Sequence, residues 1–259
     1  MRRPSALVSV AVVVALAGAA AVVAPSFARA ADAPAADATS QLKAAVAELD
    51  AAMKAKDESA VTVAVKKIPP LYKGTTDTGA RSSAAKELGA VVKSAKMTSA
   101  RKDALDALVE TEDGKEAWKH LASAYPADDL EDETRWNVDI VKAIGALHPD
   151  GAIDKLLESF KKGKQADFAA AAVSALGNYK TSKQRQAILV EIVKAGKNMV
   201  PSRSSSKNPS PEAQARWATL SGPIGKALDT LTGDTVGDPV EWFKKVDEAK
   251  TNLKSLFRD

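Results

Sequence analysis

The chain has no cysteine among its 259 residues, so disulfides, thiolate metal sites and thiol nucleophiles are excluded. Two histidines, His120 and His148, are the whole supply of imidazole. Neither has a second histidine at helical spacing, and no serine stands in a nucleophile-elbow context. Aromatic residues make up 5% of the chain, which leaves the core to aliphatic side chains and alanine and suits helices that approach closely. A strand-rich block is missing too, and so is a large charge excess. The formal charge is +4, but the first thirty residues hold Arg2, Arg3 and Arg29 and no acid. From residue 31 onward 34 basic residues therefore face 33 acidic ones, and the charge falls to +1. Nothing at that level points to nucleic acid as a partner.

What is present begins with Arg2 and Arg3 ahead of an apolar run from Ala6 to Ala24, followed by Pro25 and the small-x-small sequence Ala28-Arg29-Ala30. This is the pattern of a secretory signal peptide. The run is long enough for an uncleaved membrane anchor to be the alternative, but its alanine richness and the cleavage motif favour removal. The expectation is a signal peptide over 1–30, a flexible tail over 31–39 and a single helical domain over 40–259. No membrane span remains after cleavage, and the mature protein is placed in the periplasm or outside the cell.

Apolar residues recur at three and four positions through the rest of the chain, which favours helix over strand. Leu42, Val46, Leu49 and Met53 mark a first helix from about Ser40, and Asp57 caps a second that carries Val61, Val65 and Ile68. That second helix is expected to stop near Pro69-Pro70, where backbone donors are missing. Further stripes are Ala84, Leu88, Val91 and Ala95, then Ala104, Leu105 and Leu108. Asp113 with Glu116 and Thr181 with Gln184 read as capping boxes. Trp217, Leu220, Ile224, Leu228 and Leu231 keep one face across Gly222-Pro223, where a kink or break is expected, and Gly233 ends that helix. Asp238-Pro239-Val240-Glu241 is a start signal for a last helix bearing Trp242, Val246 and Leu253.

Between Arg135 and Val193 the helices repeat. Ala143-Ile144-Gly145 matches Ala175-Leu176-Gly177, Leu157 and Leu189 each follow thirteen residues after Ile144 and Leu176, and a fainter copy has Leu121 thirteen residues after Leu108. Within the pairs Ile140, Ile144 and Leu147 answer Ala172, Leu176 and Tyr179. Ile153, Leu157 and Phe160 answer Arg185, Leu189 and Ile192, and the arginine breaks the pattern. A pair with one apolar stripe cannot bury it alone, so such units stack in arrays.

Paired helices with Ala-Leu-Gly or Ala-Ile-Gly near the end of the first resemble HEAT and armadillo-like repeats over about Arg101 to Lys197. The resemblance implies an all-α solenoid of about ten to eleven helices, whose successive second helices line a concave binding surface. It carries no catalytic residue.

Five of the six residues from Asp128 to Glu133 are acidic. They read as a helix start, with Asp129 as the cap, because a calcium loop needs a glycine-bearing turn. His148 before Pro149 reads as a cation at a helix end. Trp118, Trp136, Trp217 and Trp242 fall on apolar stripes and read as core rather than as stacking platforms for sugars. No metal, cofactor or catalytic set is expected. The partner-binding candidates are Lys155, Glu158, Lys162, Lys183, Gln186 and Lys194 on the second helices, with Lys142 on the opposite face. Arg203 and Lys207 join them from the Ser/Pro-rich loop over 200–211.

The expected function is an exported, non-enzymatic scaffold that binds another protein. The alternatives are a binder of envelope polysaccharide or another acidic polymer, and an enzyme whose site is not recognisable. Mass spectrometry of the exported protein should find Ala31 at its N-terminus; a mature species that keeps Arg2 and Arg3 would refute the leader.

Overall fold

Alanine and leucine wind this chain into helices with short connections. The structure, a computed structural model, describes residues 33–94, 96–125, 134–201, 209–249 and 251–258. The expected signal peptide, the acidic run with its Asp129 cap, Arg203 and Lys207 lie outside those residues. Among the described residues eleven α-helices and two short 3₁₀ turns follow one another, and there is no strand. The helices are α1 (Ala33–Ala55), α2 (Glu58–Gly74), α3 (Thr78–Val92), α4 (Thr98–Glu110), α5 (Gly114–Leu121), α6 (Thr134–Leu147), α7 (Ile153–Lys162), α8 (Ala166–Gly177), α9 (Arg185–Met199), α10 (Pro211–Thr232) and α11 (Pro239–Glu248).

They stack in two rows, which makes the chain an all-α solenoid. In one row α2, α4, α6, α8 and α10 pack in succession; in the other α1, α3 and α5 lead, through the 3₁₀ turn Asp150–Ala152, to α7, α9 and α11. The first helices of the repeated pairs, α6 and α8, share the former row, and the second helices, α7 and α9, share the latter. One apolar cluster runs along the stack, with Leu49, Val65, Leu88, Leu108, Ile144, Leu176, Ile192 and Leu228 all at 0% exposure.

The repeated Ala-Ile-Gly and Ala-Leu-Gly motifs have a definite role in that stack. A Cβ placed on Gly145 would stand 2.7 Å from the Ala175 methyl, and one placed on Gly177 would stand 2.9 Å from the Ala227 Cα. Each motif glycine is thus where the next helix of the row crosses, close enough to exclude a methyl group. The alanine of one motif is the residue that meets the glycine of the motif before it.

Several caps form as expected. Asp57, Asp113 and Asp238 each accept a bond from the first turn of the helix they precede, and Gly233 closes α10 with φ 76°. Four expectations are corrected, and a fifth, the kink or break at Gly222-Pro223, resolves without a break. Helix α1 starts at Ala33, so most of the expected tail is helical: alanine is the best helix former, and Ala38 and Thr39 lie against Gly74 and Thr75 at the end of α2. Helix α2 runs through Pro69 and Pro70 to Gly74. The two lost amide donors are outweighed by burial of Ile68, Pro69 and Tyr72, and the Tyr72 hydroxyl donates to Asp113 at 2.9 Å. Helix α9 begins at Arg185 without a side-chain cap, because Ser182 takes its turn bond from the Gln184 amide and donates its own proton to Asp150. Glu116 does not reach back to the Asp113 amide but bonds Ser82 and Lys119. Gly222-Pro223 leaves α10 a single helix, its Leu220, Ile224, Leu228 and Leu231 buried along one stripe.

The glycine contacts predict different outcomes for one substitution at different places. Gly145→Ala and Gly177→Ala should each destabilise the protein by about 1–3 kcal/mol through overpacking. Beyond its chain neighbours Gly222 has nothing within 4 Å of its missing Cβ, but the helix-propensity gain of Gly222→Ala is opposed by crowding of the new Cβ against the following Pro223 ring, so stability should change by less than about 0.5 kcal/mol. Urea unfolding measures all three, and a raised midpoint for Gly145→Ala would refute the close crossing.

Candidate functional site

Two surfaces compete as binding sites, one on each row. On the α7–α9 row Lys155, Glu158, Lys162, Gln186 and Lys194 are all exposed on neighbouring helices, with Lys183 exposed in the turn before α9. The predicted group therefore shares one side of the stack. Its charge is largely balanced by pairing. Lys162 bonds Glu158 at 2.9 Å one turn away and holds that carboxyl below the usual range. Lys161 of α7 pairs with Glu191 of α9, and Lys197 of α9 pairs with Asp247 of α11 at 2.5 Å, so ion pairs bridge each helix of the row to the next. The Lys155 ammonium lies 5.5 Å from the Tyr125 ring centroid. Lys194 also acts on the Glu191 carboxylate that Lys161 pairs, and among the described residues Lys183 alone of this group's lysines has no such partner.

The other row carries a trough. Along α8 and its C-cap the residues Ala171, Ser174 and Asn178 follow at helical spacing, the alanine buried and the other two short side chains exposed, and its neighbours α6 and α10 pack on either side. The result is an open depression with Lys142 on one bank and Lys226 on the other, floored by Ala171, Ala175 and Ala227 and edged by Ser174, Asn178, Pro223 and Thr230. Both lysines are exposed and have no carboxylate partner among the described residues. The hollow continues towards the start of α6 and α8, where Arg135 and Asp167 line it beside Val138 and Ala170. Lys142, expected on the face away from the partner, therefore stands on the bank of a concavity, while Lys162 and its neighbours Lys161 and Lys197 on the other row are paired with acids of that surface.

The remaining candidates resolve into structure. Trp242 is fully buried and its ring N–H donates to Asp229 at 2.7 Å. Trp118 meets Tyr125 edge to face, Trp136 lies beneath the Arg101 guanidinium at 4.3 Å, and both, like Trp217, are partly buried against the core. His148 ends α6 with φ 37° and turns Nδ1 to the Ala146 carbonyl at 3.0 Å. Ser82, Glu116 and His120 gather between α3 and α5, where the serine donates to the Glu116 carboxylate at 2.7 Å and not to the imidazole, so the histidine is not the group that holds its proton. Among the described residues no three His, Asp or Glu side chains form a group that could hold a metal ion, and no helix is long and apolar enough to cross a membrane.

Arg185, which breaks the repeat pattern, is a residue whose use periodicity does not reveal. Its guanidinium donates to the Leu231 and Arg258 carbonyls and stacks over the Phe257 ring at 4.4 Å, which ties the C-terminal segment to α9. The trough had a signal in the sequence: α8 reads Ala-Asp-Phe-Ala-Ala-Ala-Ala-Val-Ser-Ala-Leu-Gly and has no long side chain to spend on its outer face beyond Asp167. No protein-family model, no curated protein and no solved structure matches this chain.

The α5 site generates a pH prediction. His120 Nε2 is buried without a hydrogen-bond partner, 3.7 Å from Glu116, and burial pushes its pKa below the ordinary value of 6.5 despite that carboxylate. Because the folded pKa is the lower one, the unfolded chain takes up the proton first. Stability should be intact above about pH 6.5 and fall as the pH drops below it, with a slope of at most about 1.4 kcal/mol per pH unit. Urea midpoints at pH 7.5 and 5.5 measure the loss, and His120→Gln should flatten it; an unchanged slope in that variant would exclude His120 as the cause.

Proposed function

We propose that this chain is an exported, non-enzymatic scaffold of HEAT-like repeats that holds a protein partner against its helix rows. The observation that carries this reading is the trough across α6, α8 and α10. It is a groove made by three consecutive repeats, so it exists only because the repeats stack. Stacked units present long continuous faces without a deep enclosed pocket, which suits an extended protein partner better than a small molecule. The leader pattern at Arg2 to Ala30 supports export, to the periplasm or beyond.

The exposed Lys183 and Lys194 favour a second reading, in which an acidic envelope polymer lies along the α7–α9 row. The two readings separate by salt. Polymer binding through surface lysines should weaken steeply as ionic strength rises, whereas a protein partner that also buries apolar surface should weaken less.

Affinity capture with the exported protein from its own envelope fraction tests the scaffold reading. Reproducible retention of a protein partner is the expected result, and retention of glycan alone would sink it. Reversing Lys155, Lys162 and Lys194 together should leave the melting temperature almost unchanged, since exposed charges contribute little to stability. Loss of protein capture in that variant would place the partner on the α7–α9 row, and normal capture would move it to the trough.

A further inference from the structure

We propose that the trough over α8 seats an extended acidic segment of the partner protein, on the row opposite the one that the repeat resemblance assigns to binding; this rests on the scaffold reading. The size argument comes first. Packed helices in a row stand about 8–10 Å apart, so the banks on α6 and α10 are roughly 16–20 Å from axis to axis. The floor between them is lowered only by the difference between alanine or serine and a long side chain. That depth suits one extended chain, a single layer of backbone whose side chains alternate into and out of the trough. A helix, about 10–12 Å across with its side chains, would stand proud of the trough.

The hydrogen-bonding capacity left on the floor points the same way. Ser174 and Thr230 spend their hydroxyl protons on the Ala170 and Lys226 carbonyls, each at 2.8 Å, and Asn178 gives an amide proton to the Gly145 carbonyl at 2.9 Å. What remains open on these three side chains is mainly acceptor: two hydroxyl oxygens and an amide oxygen. Free N–H donors are what an extended backbone offers and what a helix keeps for itself.

Charge then selects the segment. Lys142 and Lys226 face each other across the floor, and no carboxylate lines that part of the trough. Towards the start of α8 the lining becomes balanced, with Arg135 opposed by Asp167. A uniformly charged polymer running along the trough would meet Asp167, while a peptide with its acids concentrated between the two lysines would not. The alanine floor adds apolar contact for alternate side chains of an extended peptide.

The test uses the purified exported protein and a fluorescein-labelled, capped octapeptide of alternating glutamate and valine, read by anisotropy at low salt. The matching lysine–valine peptide is the charge control, and unlabelled polygalacturonate is the competitor. The glutamate peptide should bind and the lysine peptide should not. Lys142→Glu with Lys226→Glu should weaken binding at least tenfold. So should Ser174→Trp, which fills the trough without touching its charge, while Lys155→Glu with Lys194→Glu on the other row should change it less than twofold. All of these positions are exposed, and equal melting temperatures will show that the variants fold. Unaltered peptide binding by both trough variants would overturn the proposal, as would displacement by polygalacturonate of a peptide that Ser174→Trp still binds. A partner captured equally by the wild type and the Lys142/Lys226 variant would remove the trough and leave the scaffold standing. Peptide binding at the trough with no protein ever retained from the envelope would do the reverse.

Discussion

Where α8 crosses its neighbours there is no room for side chains: a methyl group on Gly145 or Gly177 would collide with Ala175 or Ala227. This close approach governs much of the stack. A chain with so few aromatic residues cannot fill wide gaps between helices, so it closes them by bringing backbones together. The same economy of side chain appears on the outside of α8, where Ala171, Ser174 and Asn178 leave a hollow in place of a ridge. Packing and concavity thus have one origin in the composition of a single helix.

The two rows differ in how they manage charge. Along α7, α9 and α11 the ion pairs run from helix to helix, Lys161 to Glu191 and Lys197 to Asp247, and act as a lattice over a solvated surface. Each such exposed pair contributes little to stability. Their effect is to fix local neutrality, so that a ligand must break or share a pair to use either member. Lys142 and Lys226 meet no such competition. The distribution of partners, more than the number of lysines, separates a surface that is complete in itself from one that still has charge to offer.

The fold was largely legible because its signals are local. Apolar spacing at Ile140, Ile144 and Leu147 or at Leu220, Ile224 and Leu228 states helix and buried face together, and aspartates before helices announce their starts. Misreadings came where a tertiary contact outweighed a local rule. Pro69-Pro70 ends no helix because the residues around it are buried, and the alanine-rich stretch from Ala33 is held in helix by contact with the end of α2. The candidate binding surface was harder to find. A run of lysines is visible in one dimension, but the acid that neutralises it comes from the next helix of the row, 30 residues away for Lys161 and 50 for Lys197. A hollow made of small residues leaves almost no mark beyond the absence of anything large.

Arg185 has a consequence for how the molecule comes apart. In a linear stack each unit touches only its neighbours, and an end can peel away one helix at a time. Here a single guanidinium on α9 reaches the last turn of α10, the Phe257 ring and the Arg258 carbonyl together. The segment after α11 is thereby latched two helices back, so that α11 cannot peel away from the stack without also freeing the Phe257 ring and the Arg258 carbonyl from α9.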